Sequence, residues 1–392
     1  MHKYRYLIIG GGMAADAAVK GIREIDVDGS IAMIGEESHP PYARPPLSKK
    51  LWQGKSLDSI WLGTEGFGVA MHRGRRAVAL DAVGREVRDN HDEIYAYERL
   101  LLATGGSPRR LSFGGDEIIY FRTLDDYRRL RELSDEEGKM VVIGGGFIGS
   151  EIAAALAMNN REVTMLFPDS GIGSRVFPAD LAAFVTGYYH EQGVEVLTGE
   201  TVMEIVQHHS NQTVVCKSGR RILADGVVAG LGIKLNTNLA VQAGLPVGDG
   251  IEVDELLRAG APDIFAAGDV ASFLNPELGE RVRLEHEDNA VSMGRQAGRN
   301  MAGAAEPYHY LPYFYSDLFE LGYEAVGVVD SRLETVADWR EPYRKGVIYY
   351  LLAGRVRGVL LWNVWDQLDE ARGLISDPGP FRASDLMGRL PA

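Results

Sequence analysis

The feature that most restricts this chain is one supersecondary unit written twice. The first copy opens with the apolar run Tyr6-Leu7-Ile8-Ile9, passes through Gly10-Gly11-Gly12-Met13-Ala14-Ala15 and continues as a helical stretch from Asp16 to Ile25. The second opens with Met140-Val141-Val142-Ile143, passes through Gly144-Gly145-Gly146-Phe147-Ile148-Gly149 and continues as a helix from Ser150 to about Met158. Both glycine runs fit the G-x-G-x-x-G/A pattern that joins a strand to a helix in dinucleotide-binding folds. A second apolar strand follows each, Ser30–Ile34 and Glu162–Phe167. An acid then stands about 20 residues beyond each turn, Glu36 in the first copy and Asp169 in the second.

The residue types have physical reasons. The first glycine turns sharply out of the strand, the second lets backbone approach a pyrophosphate, and the third position must be small for helix and strand to pack. The helix start offers unpaired N–H groups and the positive end of its dipole to phosphate. The acid accepts hydrogen bonds from ribose hydroxyls and repels a 2′-phosphate. One such turn says little, but two with strand, helix and acid in register point to two dinucleotides, a flavin one and a nicotinamide one.

Two further strands indicate which is which. Glu98–Ala103 runs into Thr104-Gly105-Gly106, and Asp263–Ala267 runs into Gly268-Asp269. In flavoproteins with two dinucleotide folds, such strand ends lie against the FAD. The competing reading of Asp269 is a helix N-cap before Ala271. Because these segments bracket the second copy, the first fold reads as discontinuous, residues 1–112 and 235–305, with the second inserted at 113–234. Residues 306–392 change character. An aromatic cluster from Tyr308 to Phe319 precedes strand-like runs at Glu324–Val329, Gly346–Leu352 and Val356–Trp362, with a hairpin turn between the last two and a helix from Asp366 to about Ile375. The expected fold is α/β, two Rossmann-like FAD- and NAD(P)-binding domains plus a small α+β C-terminal domain.

Composition narrows the chemistry. A single cysteine, Cys216, excludes an intramolecular disulfide, a redox dithiol and a multi-cysteine metal site, so no metal is expected. It falls in the strand-like stretch Thr213–Lys217 and reads as inert. The net charge of −14 is a poor match for nucleic acid. Residues 1–112 alone are slightly basic, so an acidic electron carrier is expected to dock there. No apolar run reaches the length of a membrane span, and the first strand begins almost at Met1. The expectation is a cytoplasmic protein.

The chain resembles flavin-dependent pyridine nucleotide oxidoreductases without a redox disulfide. Within them it is similar to the ferredoxin/rubredoxin reductases, and most of all to apoptosis-inducing factor and its prokaryotic relatives. The resemblance spans nearly the whole chain. It is carried by Pro41–Trp52, Gly144–Glu151, Phe167–Gly171, Leu284–Asp288, Tyr315-Ser316-Asp317, Gly322–Gly327 and Leu361-Trp362-Asn363.

The resemblance implies a set of site residues. For FAD these are Gly10, Gly12, Met13, Ala14, Ala15, Glu36, Arg44, Lys49, Ala77, Ala103, Thr104, Gly105, Arg122, Asp269, Glu285, His286 and Tyr315. For NADH they are Gly144, Gly145, Gly146, Phe147, Ile148, Gly149, Glu151, Asp169, Arg175, Gly232, Glu285, Glu324 and Asn363. Lys49, Glu151, Phe147 and His286 take the catalytic roles, with Lys49 paired to Glu151 near flavin N5 and Phe147 at the nicotinamide. The competing readings are a structural salt bridge for the pair, a satisfied core histidine and ordinary core packing. If close, Glu285, Glu287 and Asp288 would raise the pKa of His286. Tyr315 replaces the tryptophan common among the relatives, and Arg175 beside Asp169 leaves NADPH as the less favoured coenzyme. The long C-terminal insertion of apoptosis-inducing factor is missing here.

The implied activity is hydride transfer from NADH to FAD, with electrons leaving the flavin directly for an acceptor such as a ferredoxin or rubredoxin, a quinone or a similar carrier. The alternative is a slow NADH-responsive sensor, in which a long-lived complex of reduced flavin and NAD⁺ controls dimerisation. A homodimer is expected, NADH-dependent in the sensor reading. A cysteine-based NADH oxidase or peroxidase is disfavoured because no cysteine lies near the first helix.

Overall fold

The computed structural model describes residues 1–135, 138–209 and 211–391. Chain contacts divide it into two compact units. The first comprises Met1–Ala43, Leu57–Ser107 and Lys234–Tyr313, and the second Arg44–Ser56, Pro108–Ile233 and Phe314–Ala392.

The first unit is built on a sheet whose parallel strands run in the order Val69–Arg73, Ile31–Gly35, His2–Ile9, Ile94–Leu102, with Ile264–Ala266 beside the last. Tyr6, Leu7, Ile8 and Ile9 are buried because helices or other strands cover both faces, which is why the run carries no polar alternation. The helix Met13–Arg23 packs on Glu287–Met301. Three glycines make that crossing close: a Cβ on Gly21, Gly294 or Gly298 would lie 2.1 to 2.3 Å, or in the last case 2.0 Å, from a carbonyl oxygen of the facing helix.

In the second unit a five-stranded parallel sheet runs Val194–Thr198, Glu162–Phe167, Lys139–Ile143, Gly226–Ala229, Ile118–Tyr120. A three-stranded antiparallel sheet, Val202–Gln207, Gln212–Cys216 and Arg221–Ala224, adjoins it in sequence. The C-terminal part forms a five-stranded sheet in the order Tyr313–Leu318, Leu321–Gly327, Arg355–Trp362, Lys345–Leu352, Glu334–Glu341, with the helix Leu368–Ser376 packed on it. Its expected hairpin is present: Ala353 and Gly354 have φ of 51° and 77°, the pair of positive values a tight two-residue turn requires.

Three readings change. Both dinucleotide helices start earlier than their apolar periodicity suggests, at Met13 and Phe147, inside the glycine motif itself. Asp269 does not cap a helix; Ala271–Asn275 is a strand, drawn into parallel pairing with Gly250–Glu252. Glu334–Glu341 is a strand that local pattern does not reveal. Its alternation is poor, and it is held by pairing along Lys345–Leu352.

Candidate dinucleotide sites

In the first unit the strand–turn–helix has the geometry of a phosphate cradle. Gly10 has φ of 126°, and a Cβ there would sit 2.1 Å from the Ala103 carbonyl oxygen, so only glycine fits. Gly12 caps the helix with φ −94° and ψ −168° and, as a glycine, contributes no side-chain cap. A Cβ on Gly12 would meet nothing within 4 Å. Ala15 is fully buried, as a packing position must be, with Met13 and Ala14 beside it. Gly268 passes so close that its Cβ would lie 2.9 Å from Ala14 Cβ, which brings the strand end carrying Asp269 against the first helical turn.

Other sequence-derived residues of this unit are distributed around it. Glu36 is exposed at the end of the second strand, 3.9 Å from Arg76. Thr104 Oγ1 donates to the Asn236 carbonyl oxygen at 2.7 Å, and the Gly105 carbonyl oxygen accepts from the Asn236 N–H at 3.0 Å. Ala77 lies in the strand Ala77–Asp81, opposite Asp89. Glu285 is ion-paired to Arg283 at 2.7 Å. His286 caps the helix Glu287–Met301. The expectation that nearby acids raise its pKa is overturned: burial pushes the imidazole down to about 4, and Asp269 only partly opposes this. The acids adjacent in sequence are engaged elsewhere, Glu285 with Arg283 and Asp288 with the Tyr313 N–H at 3.1 Å.

The second unit repeats the cradle. Gly144 has φ of 123°, and its Cβ would lie 2.4 Å from the Gly230 carbonyl oxygen. Gly146 has φ −89° and ψ −168°, again with no side-chain cap, and it too faces open space. Gly149 is obligatory, since a Cβ would lie 2.0 Å from the Gly144 carbonyl oxygen, and Gly145 rides on the ring of Phe167. Phe147 and Ile148 are 37% and 39% exposed, unlike the rest of this apolar helix start. Phe147 meets Phe314 edge-on with ring centres 5.5 Å apart. Asp169 Oδ1 lies 3.3 Å from Arg175. Gly232 has φ of 78° and accepts from the Arg109 N–H at 2.9 Å. Arg44 donates to the Arg122 carbonyl oxygen at 2.9 Å.

Asn363 and Glu324 differ in how they are used. The Asn363 side chain accepts from the Gly322 N–H and donates to the Arg344 carbonyl oxygen, both at 2.8 Å, so it holds the backbone together. Glu324 Oε2 is buried with no hydrogen-bond partner among the described residues, and burial together with Asp366 raises its pKa.

A buried polar cluster joins Lys49 to Glu151. Lys49 Nζ donates to Glu151 Oε1 at 2.5 Å, Ser316 Oγ to the same oxygen at 2.6 Å, and Ser48 Oγ to Oε2 at 2.6 Å. All four side chains are at least nine-tenths buried. The Lys49 ammonium also stands over the Tyr315 ring, 5.0 Å from its centre. Tyr323 bonds to Ser316, and burial with the nearby Glu151 charge pushes its phenol well above the ordinary range. Asp317 is likewise raised by burial, with Lys49 opposing. Sequence reasoning named Lys49, Glu151 and Tyr315 but missed Ser48, Ser316 and Tyr323. Both serines lie inside the motifs that carry the resemblance, yet nothing local says that their hydroxyls converge on one carboxylate.

Each cradle offers a helix N-terminus behind a glycine that adds no side chain and leaves room for a ligand, the setting a pyrophosphate needs. Two cradles of matching backbone geometry define an oxidoreductase of the two-dinucleotide class. The family model described as pyridine nucleotide-disulphide oxidoreductase matches residues 4–294, and the chain belongs to that family. It is thus an NAD(P)H-dependent FAD oxidoreductase. A second model, described as apoptosis-inducing factor, mitochondrion-associated, C-term, matches residues 297–342 and 337–377. Apoptosis-inducing factor 1, mitochondrial, of Dictyostelium discoideum is 36% identical over 96% of this chain and 79% of its own length. Monodehydroascorbate reductase 3 of Arabidopsis thaliana is 34% identical over 91% and 89%. The crystal structure of the covalent putidaredoxin reductase–putidaredoxin complex superposes with a TM-score of 0.90 at 29% identity, covering 97% of this chain and 94% of that one. Among the described residues no helix is long and apolar enough to cross a membrane.

Proposed function

We propose that the first cradle, within residues 1–112 and 235–305, holds FAD, that the second, within 113–234, holds NADH, and that electrons pass from the flavin to a small iron–sulfur protein. Residues 306–392 form the third part. The observation that carries this reading is the pairing of two matched cradles with a single, buried cysteine. Burial pushes the Cys216 thiol up, so it is a poor nucleophile and has no partner thiol in the chain. FAD, when bound, would supply the two-electron chemistry that links the nicotinamide to the acceptor.

The residues then have definable tasks. Hydride transfer needs alignment and exclusion of water rather than a general base. The Glu151 cluster suits this, because Lys49, Ser48 and Ser316 all donate to the carboxylate and leave it spent as a base. Phe147 offers an exposed ring edge for packing a planar ligand. A neutral His286 adds no charge to the helix start it caps, so negative charge there is met by the helix N–H groups. Asp169 favours a ribose diol, and its pairing with Arg175 withdraws the cation that would otherwise attract a 2′-phosphate, which favours NADH.

The second reading, a slow NADH-responsive protein whose dimerisation follows its redox state, is favoured by the match of residues 297–377 to the apoptosis-inducing factor C-terminal model. One experiment separates the two. The holoprotein is reduced anaerobically with NADH, then offered a panel of small iron–sulfur proteins, quinones and dyes, with sizing before and after reduction. Turnover with an iron–sulfur protein in the ordinary enzymatic range, about 1–10³ per second, supports electron transfer. Reoxidation no faster than in air with every carrier, together with an NADH-dependent dimer, supports the sensor instead.

A further inference from the structure

The segment after Asp169, the acid proposed above to hold the nicotinamide ribose, is shaped by the C-terminal sheet. Two bonds tie it to its own nucleotide fold: the Gly173 N–H donates to the Gly145 carbonyl oxygen at 2.9 Å, and the Ile172 N–H donates to Thr186 Oγ1 at 3.0 Å. From Arg175 onward a local turn, in which the Val176 and Phe177 N–H groups both donate to the Gly173 carbonyl oxygen at 2.8 Å, is joined by anchors from the C-terminal part. The Ser331 N–H donates to the Arg175 carbonyl oxygen at 3.0 Å, and the Tyr350 hydroxyl to the Val176 carbonyl oxygen at 2.8 Å. Phe177 is wedged edge-on against Tyr323 and Trp362, both ring centres 5.4 Å away, and is 3% exposed. Two successive carbonyls and one side chain of this loop are thus held by residues far off in sequence.

We infer that Tyr350 is a positioning residue for nicotinamide-nucleotide recognition. By fixing the Val176 carbonyl it sets the path of the loop that carries Arg175 to Asp169 and touches the glycine turn at Gly145. The C-terminal sheet thereby sets coenzyme affinity and the choice between NADH and NADPH. A phenol suits this task. It is fully buried, donates to one defined acceptor, and keeps its proton because burial raises its pKa. The inference rests on the assignment of the second cradle to the nicotinamide nucleotide.

The same strand supplies the control. Tyr349 is equally buried, but its hydroxyl accepts from the Leu390 N–H at 3.3 Å and does not touch the loop. Tyr350→Phe and Tyr349→Phe each remove one buried hydroxyl and retain the ring. In the FAD-loaded protein, NAD⁺ and NADP⁺ binding is measured by calorimetry, with KM and kcat for NADH and NADPH and the melting temperature alongside. Loss of one neutral hydrogen bond corresponds to about a 5-fold effect. Tyr350→Phe is expected to weaken NAD⁺ and raise KM about 5-fold with kcat nearly unchanged, and to alter the NADH:NADPH ratio, while Tyr349→Phe leaves all of these alone. Equal effects from the two variants, or none from Tyr350→Phe, overturn the inference. Asp169→Asn is run in parallel. If it changes nucleotide affinity while Tyr350→Phe does not, the positioning role fails and the site assignment stands. If neither variant changes affinity, the site assignment fails with it.

Discussion

Glu151 receives an ammonium and two hydroxyls in a buried cluster, so what it costs to disturb depends on which partner is left behind. A buried ion pair gains little over apolar packing, but breaking it from one side strands a charge at about 3–5 kcal/mol. Glu151→Gln is therefore expected to destabilise the protein by about that amount in denaturant titration. Adding Lys49→Met to it should recover most of the loss. A double variant as unstable as the single one would mean that the carboxylate serves packing rather than neutralisation. His286 gives a pH signature. Its folded pKa, about 4, lies below the ordinary 6.5, so the unfolded chain binds more protons between those values. Its contribution to stability is present above pH 6.5 and is lost as pH falls toward 4. NMR titration of the imidazole and a flatter acid limb in His286→Gln check this; an imidazole titrating near 6.5 would contradict it. The Lys49–Glu151 pair was expected from the resemblance, but the two hydroxyls on Glu151 and the pKa of His286 were not. The acids adjacent to His286 suggested a raised pKa, whereas in the fold two of them are committed elsewhere and burial dominates.

The glycine turns show how one residue type does different work at successive positions of one element. At Gly144 the backbone is left-handed and the Cβ site is filled by a carbonyl, so Gly144→Ala should largely abolish folding. At Gly146 the backbone is extended and the Cβ site is open. Gly146→Ala should leave thermal stability within about 0.5 kcal/mol of the parent, yet lower nicotinamide-nucleotide affinity at least tenfold by occupying the space the pyrophosphate needs, with FAD content unchanged. A fall in FAD content instead would reverse the assignment of the two cradles. Gly298→Ala probes the helix pair of the first unit. With Ala18 backbone 2.0 Å from the new methyl, the helices must separate, at about 1–3 kcal/mol by calorimetry. The strands, turns and spacing of both cradles were legible because each is a local strand–turn–helix whose residue types answer to nearby backbone. The strand Glu334–Glu341 was not, because its pairing partner and not its own pattern makes it a strand.

At the scale of the whole molecule, the lone cysteine makes the clearest statement. The family model names a disulphide, but this chain has one thiol, and it is buried. Cys216→Ala should retain NADH-dependent reduction of artificial acceptors, and thiol alkylation of the native protein should leave the rate unchanged; thiol-sensitive turnover would refute direct exit of electrons from the flavin. The sequence by itself determined that there are two dinucleotide cradles, which acids follow them, and that the chain holds no dithiol. These are properties of short segments or of composition, decided by backbone geometry within a few residues or by a count. Only the tertiary structure decided that Ser48 and Ser316 join the expected Lys49–Glu151 pair, that His286 is held neutral, and that Tyr350 reaches the loop beyond Asp169. Each depends on groups dozens to hundreds of residues apart being desolvated together, and that follows from how sheets and helices pack, not from the pattern of any one of them.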